Sequence, residues 1–460
     1  MSRPSRRLLS LAVATAALPL LALPAGPAAA VSYGTPTITF STAYLSGAVG
    51  ATGDPTVTVT VAQSGAPVSS LTVAATASTR TAVARTGDVT VVGTGSARTL
   101  AVAAQGVGYT DLTVKVTGLG GKTASRTLHY AASAAVQFSA DSRYLTGSSD
   151  ASAAVDAGGG YIVVADDESN VLRLYDRNAS GAPVRTWDFS SALGVTKEID
   201  IEGATRVGNT VYWTGSLGNN KDGEIKTPRH IVFATTVTGS GATTQLSLAG
   251  SSSVLRDDLI AWDRAHGDRY GFAAGAAAGQ VPKQIDGFNV EGLEFAPGST
   301  TTAYVGFRAP LTPAVTGGRA LIVPVTNFPS LFSGSHATFG EPIELDLGGL
   351  SVRDLRRNAL GQYLIVAGSW AADDNSDPYA LYRWDGQPGS QPVKLLDLPT
   401  ADAGGWEAVP DVPDLTAPGA RVQLITDDGS AVLYNDGIAA KDLTQPEFKK
   451  SRTTWFTVTP

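Results

Sequence analysis

The chain has 460 residues, no cysteine, four histidines, 51 glycines and a formal net charge of −7 at pH 7. Without cysteine there is neither a disulfide framework nor a thiolate metal site, so stability must come from a buried core and from any bound cations; a chain this long has ample material for such a core. The acidic balance argues against nucleic acid and anionic membrane as partners.

Residues 1–30 have the three parts of a cleaved export signal. Arg3, Arg6 and Arg7 precede an apolar run from Leu8 to Leu23, and Ala28-Ala29-Ala30 follows a Pro/Gly-containing break. The mature chain is expected to start near Val31, and losing those three arginines takes the charge from −7 to −10. Ser5-Arg6-Arg7 before Leu8-Leu9 partly matches a twin-arginine signal, so the export route stays open. No cysteine marks a lipid anchor, and no later run offers the roughly 20 apolar residues of a membrane span. Release into the medium or cell wall, with no membrane insertion, is the expectation.

Residues 31–133 alternate in the manner of strands. Thr56 to Val61, Ser70 to Ala74, Val89 to Val92 and Asp111 to Val116 are separated by Gly-rich turns. Some seven short strands in about 100 residues predict an immunoglobulin-like β-sandwich. His129 reads as a strand residue, and no catalytic residue types cluster here. A spacer module is the plain reading; carbohydrate or wall binding is the sharper one.

Residues 134–460 carry strands on a longer beat, which predicts an all-β chain ending in a β-propeller. Gly160 to Ala165, Thr210 to Thr214, Ala303 to Phe307, Gln362 to Ala367 and Val422 to Thr426 are the clearest strands. Three segments repeat one idea: Ile201-Glu202-Gly203, Val290-Glu291-Gly292 and Trp406-Glu407-Ala408 each set a carboxylate between an apolar and a small residue. Strand geometry turns such a carboxylate away from its apolar neighbours, so equivalent strands aim all three into one space. Residues opening an innermost strand fall near Ser152, Glu202, Glu291, Arg353 and Glu407, at spacings of 50, 89, 62 and 54. The spacing of 89 reads as two blades, with an extra start near Ala249 to Leu259. Six blades are favoured and seven remain possible.

The ordered series Asp150-Ala151-Ser152, Asp166-Asp167-Glu168, Asp200-Ile201-Glu202-Gly203, Val290-Glu291-Gly292-Leu293, Gly306-Phe307-Arg308-Ala309-Pro310, Val352-Arg353-Asp354-Leu355 and Asp427-Asp428-Gly429 resembles the bacterial propellers of domain of unknown function 3616. That family is similar to phytase-like, or esterase-like, propellers. The resemblance spans roughly Val136 to Thr459 and implies fold and site rather than a reaction.

Glu202, Glu291 and Glu407, with Asp150, Asp200 and Asp354 nearby, are more carboxylates than a small volume leaves ionised without compensation. Arg308, Arg319 and Arg353 are candidate counter-charges, and Ca²⁺ or another divalent cation is the alternative, since hard cations take carboxylate and carbonyl oxygen without histidine. The candidate metal ligands are therefore Asp150, Asp200, Glu202, Glu291 and Asp354. Glu202, Glu291, Glu407, Arg308 and Arg353 are the candidate catalytic set, with a metal readying water and arginines clamping an anion. The plain alternative is that the glutamates cap strand starts. Asn219-Asn220-Lys221-Asp222-Gly223 reads as a hairpin turn that can bring Lys221, Arg229 and His230 over the channel mouth as substrate-binding groups, with Arg319 among them. Asp373-Asp374-Asn375-Ser376-Asp377 begins like a calcium loop, but Pro378 and Trp384 stand where its glycine and closing glutamate belong.

No Gly-x-Ser-x-Gly elbow, zinc-spaced histidines, phosphate-binding Gly-Lys loop or dinucleotide fingerprint occurs, which sets aside the common hydrolase, zinc and nucleotide-cofactor classes. Two readings survive. One is a metal-assisted phosphoester or ester hydrolase. The other is a non-catalytic extracellular propeller that binds a small phosphorylated, carbohydrate, wall or protein ligand. In both a monomer is the expectation.

Overall fold

The computed structural model of the chain describes residues 1, 32–134, 139–371, 378–400 and 404–459. The export signal and the Asp373 to Asp377 segment lie outside the described residues.

Alternation drives the first eight strands into two four-stranded sheets. One has the order Thr37–Phe40, Val57–Ala62, Ala97–Val102, Val89–Val92; the other runs Tyr44–Ala48, Thr123–Ser133, Gly108–Thr117, Thr72–Ser78. In Val57–Ala62 the valines are buried and their neighbours exposed, the pattern of a strand with one dry face. Val57, Val59, Val61, Leu100, Leu112, Val114, Val116 and Leu128 meet in one core, each worth roughly 1.5–3 kcal/mol on burial. His129 is a strand residue as expected: it stacks on Tyr44 at 4.8 Å, and its Nδ1 lies 2.7 Å from Asp111.

This sandwich is fixed to the rest of the chain by polar and apolar contacts. Tyr434 donates to Phe448 O at 2.6 Å and lies 2.7 Å from Ser46 Oγ. Lys450 Nζ donates to Gly47 O at 2.7 Å, and Tyr109 donates to Asp436 at 2.6 Å. Around these bonds Ala131, Tyr434, Ala440, Leu443 and Phe448 form an apolar cluster with Tyr44 and Tyr109 packed against it.

Five antiparallel four-stranded sheets follow, the first four of them meanders in chain order. Their first strands are Ala151–Gly158, Ile201–Val207, Asn289–Phe295, Ser351–Arg357 and Gly405–Ala408. Each first strand touches the first strands of the sheets before and after it, and the fifth touches the first again. The outer strand of the fifth sheet is Arg143–Thr146, which precedes the first sheet in sequence and pairs with Lys450–Thr457. This is the β-propeller arrangement that the strand rhythm predicts.

The number of sheets differs from the expected six or seven. Gln245–Ser252 is the outer strand of the second sheet, and the stretch expected to open another blade continues into a helix, Leu255–Ala265. Leu255 and Leu259, one helical turn apart, are buried with Phe272, Phe288 and Val290. Asp263 accepts the backbone N–H groups of Tyr270 and Phe272 at 3.1 and 3.0 Å, fastening the helix to the turn after it. The spacing of 89 residues is therefore one sheet plus a helical connector.

The glycines after Glu202 and Glu291 have a packing cause. A Cβ on Gly203 would stand 3.0 Å from Glu291 O, and one on Gly292 would stand 2.8 Å from Val352 Cγ1. First strands of neighbouring sheets approach too closely there for a side chain. Lower on the same strands Arg356, from the fourth sheet, donates to Val409 O at 3.0 Å, to Ala154 O at 2.8 Å and to Ala204 O. Ala154 and Ala204 belong to the first and second sheets, which are not neighbours of the fourth in the cycle, so Arg356 reaches across the middle.

Candidate functional site

Ser152, Glu202, Glu291, Arg353 and Glu407 share one structural position. In every first strand the pairing with the second strand slips by one residue there: between Ala151 and Ala153, Ile201 and Gly203, Val290 and Gly292, Val352 and Asp354, and Trp406 and Ala408. Each of the five is thus the extra residue of a β-bulge, a device that frees a residue from the ladder and re-aims its side chain.

Two of the glutamates are neutralised by arginines. Arg308 NH1 lies 3.0 Å from Glu291 Oε1, and Arg353 Nε lies 2.8 Å from Glu291 Oε2 and 3.1 Å from Glu407 Oε2. Arg353 NH2 also donates to Glu407 Oε1, and Asn289 Nδ2 donates to Glu291 Oε1 at 3.0 Å. The remaining guanidinium nitrogens donate to the carbonyls of Trp370, Ala371 and Ser369. Both arginine side chains are about 1 % exposed. The sequence-predicted Glu291, Glu407, Arg308 and Arg353 are therefore together, as a closed network of ions.

Glu202 is different. It is 6 % exposed and accepts no hydrogen bond from any described residue. Burial pushes its pKa well above the usual carboxylate range, with Glu291 and Asp200 adding to the rise and Lys283 opposing it. Carboxylate oxygens of Glu202, Asp167 and Asp200 lie within 4.8 Å of one another. Asp167 Oδ1 is shielded from solvent and accepts no hydrogen bond. Its pKa is driven up by burial first and by Asp427 and Asp150 next. Asp200 holds the left-handed backbone at φ +62°, uncommon for a residue with a side chain, and receives Arg229 NH1 at 2.6 Å.

A second group, Asp150, Asp167 and Glu168, satisfies the same 4.8 Å test and shares Asp167 with the first. Asp150 accepts from Ser149 Oγ at 2.6 Å, and burial together with Asp427 and Asp166 raises its pKa to about 8. Glu168 pairs with Lys441 at 2.9 Å. The acidic mouth thus spans the first, second and fifth sheets, while the arginine network spans the third, fourth and fifth.

Several sequence-predicted residues lie elsewhere. Asp354 is buried at another level, where it accepts the N–H groups of Leu355 and Val409 at 2.7 and 2.8 Å; burial raises its pKa to about 6. It joins the fourth and fifth first strands and belongs to neither carboxylate group. Glu291 pairs with arginine and is likewise in neither group. Arg229 reaches the mouth, but His230 is buried beside Arg256, with its pKa lowered to about 4 by burial first and that arginine second. Lys221 is exposed in a turn closed by Asn220 and Glu224, and Arg319 is exposed in a bridge to Thr312. Neither makes an ion pair among the described residues.

Sequence reasoning kept Asp166-Asp167-Glu168 and Asp427-Asp428-Gly429 within the motif series of the resemblance, outside the candidate site set, and did not single out Lys283. The usable signal was their place: both acidic runs follow second strands, at the end where the bulged residues lie.

No family model matches the chain, and no curated protein sequence matches it. Among solved structures it is similar to a member of the domain of unknown function 4221 family from Bacteroides vulgatus, at 8 % identity and a TM-score of 0.28, over 85 % of this chain and 99 % of that one. It is also similar to a virginiamycin B lyase from Staphylococcus aureus, at 10 % identity and a TM-score of 0.26, over 83 % and 98 %. For Sqt1 from Chaetomium thermophilum the values are 9 %, 0.25, 84 % and 80 %. Scores this low carry no argument, so the propeller stands on the strand pairing and on the cycle of first-strand contacts.

Proposed function

We propose that this is an exported protein in which an immunoglobulin-like sandwich is docked on a closed five-bladed propeller, and that the acidic mouth of the propeller captures a divalent cation, Ca²⁺ foremost, to hold an oxygen-rich ligand. The sandwich reading is supported by its sheet orders, with strands one, three, six and five in one sheet and two, eight, seven and four in the other. The export reading rests on residues 1–30 alone. The single observation behind the cation is Glu202, a buried carboxylate with no described donor, lying within 4.8 Å of Asp167 and Asp200. Two buried carboxylates and the half-buried Asp167, opposed chiefly by Arg229 and Lys283, match the preference of hard cations for oxygen. A cation held by three protein ligands keeps places for water or for a ligand's phosphate, carboxylate or hydroxyl oxygens.

Binding is placed ahead of hydrolysis because Arg308 and Arg353, the expected anion clamps, are paired with Glu291 and Glu407 and with backbone carbonyls. Terbium, a luminescent stand-in for Ca²⁺, tests the cation reading. The mature protein is expected to take it up saturably, with competition by Ca²⁺, and Glu202→Gln to weaken uptake about tenfold or more. Absence of saturable uptake, or full uptake in Glu202→Gln, would overturn the reading. Chelator-sensitive turnover of phosphoesters or carboxylic esters by the same preparation would put the hydrolase first.

A further inference from the structure

The seam where the fifth sheet meets the first gathers guanidinium groups around a hollow of about 240 Å³ lined by Asp141, Arg143, Arg177, Asn178, Arg421 and Trp455. Register puts the fifth-sheet residues on one face. Gln423 lies opposite Trp455, and Thr453 lies opposite Arg143. Arg421 and Trp455, each two residues along its strand from one of these, therefore share that face. Arg177 arrives from the turn after Ser169–Asp176 in the first sheet; its Nε donates to Gln423 Oε1 at 2.7 Å, and Gln423 Nε2 returns a bond to Arg177 O at 3.1 Å.

Trp455 acts as the platform. The Arg177 and Arg421 guanidinium carbons lie 4.9 and 5.5 Å from its ring centroid, distances at which cation–π attraction holds the planar groups in place. Their charges are unevenly answered. Arg177 meets Asp411 at 2.6 Å and Asp156 at 3.7 Å, and Arg421 meets Asp141 at 2.6 Å. Arg143 has no carboxylate partner among the described residues. Its Nε donates to Asn178 O at 2.7 Å and its NH1 to the carbonyls of Ala140 and Ser142 at 3.1 and 2.8 Å. Arg143 NH2 and Arg421 Nε and NH1 have no acceptor among the described residues. Three guanidiniums face three carboxylates, so the charge balances, and what is left over is guanidinium N–H groups held in place without acceptors.

The geometry points to an oxyanion site in this hollow, taking a carboxylate, sulfate or phosphate group through Arg143 and Arg421, with Arg177 and Trp455 holding the walls. Guanidinium groups whose planes are fixed in advance bind such groups bidentately at low entropic cost. The oxyanion is either a free ion or the charged end of a larger sugar. The hollow exceeds the roughly 30 Å³ share of one water several-fold, so it has room for both.

Isothermal titration of the mature protein, stripped of cations by a chelator that is then dialysed away, tests this with inorganic phosphate, sulfate, glucuronate and uncharged glucose. At least one anion is expected to bind at millimolar concentration while glucose does not. A response to phosphate or sulfate alone assigns a free ion, and a preference for glucuronate assigns a sugar acid. Arg421→Gln, at a side chain 45 % exposed and therefore safe for the fold, is expected to weaken that anion about tenfold. Terbium uptake should stay unchanged. Trp455→Leu, which removes the platform and leaves the charges, is expected to weaken the anion as well. Silence from all three anions, heat from glucose equal to theirs, or full affinity in both variants would overturn the site.

Discussion

Arg353 illustrates how a buried charge divides structural from ligand-binding roles. It sits between Glu291 and Glu407, and all three are buried. Removing it takes a guanidinium from two buried carboxylates, of which Glu291 keeps Arg308, so Arg353→Leu is expected to destabilise the fold by about 3 kcal/mol, read as a lower urea midpoint. Glu202→Gln should do the reverse. It replaces a carboxylate that burial and like charges hold well above its ordinary pKa with a neutral group of the same shape, so the midpoint should hold or rise. A large loss of stability in Glu202→Gln would mean that this glutamate braces the fold, as Glu291 and Glu407 do. The inward aim of the three glutamates was legible from alternation, because that property is local. The identity of their partners was not. Arg308 meets Glu291 from the neighbouring strand of its own sheet, whereas Arg353 meets glutamates of two other sheets, and sequence spacing carries no trace of that choice.

At the scale of strands, five bulges at one position account for the repeated motif. The apolar residue before each glutamate packs between sheets, the glutamate leaves the ladder, and the glycine after Glu202 or Glu291 makes room for the next first strand. Gly292→Ala is therefore expected to cost about 1–3 kcal/mol through overpacking against Val352 and Gly306, measured by denaturation. The helix was harder to read. Leu255–Ala265 offers only Leu255 and Leu259 as fully buried apolar positions, and its other anchor is the carboxylate of Asp263. A polar residue that fastens a helix by accepting backbone N–H groups leaves no hydrophobic rhythm to detect. Leu259→Ala should cost about 2–5 kcal/mol, and its loss should register in the same denaturation curve if connector and propeller unfold together.

For the molecule as a whole, the junction of sandwich and propeller carries a pH signature. Lys450 is buried there, its Nζ 4.8 Å from the Tyr144 ring, and burial lowers its pKa from 10.5 to about 7 against the pull of Asp54 and Asp428, with Arg452 adding to the fall. Asp54 moves the opposite way, to about 6, chiefly through burial. A lysine that sheds its proton sooner in the folded state adds stability as pH rises from about 7 towards 10.5. A carboxyl that keeps its proton longer loses stability as pH rises from 3.8 to about 6. Compared with Lys450→Met, the parent protein should therefore gain melting temperature across the alkaline range, and equal slopes would refute the buried-lysine account.

The side chain that reaches from the fourth sheet to the first and second has a further consequence. With Arg356 tied to backbone carbonyls of the fifth, second and first sheets, strands far apart in the chain are leashed to one guanidinium, and they are expected to slacken together when it is lost.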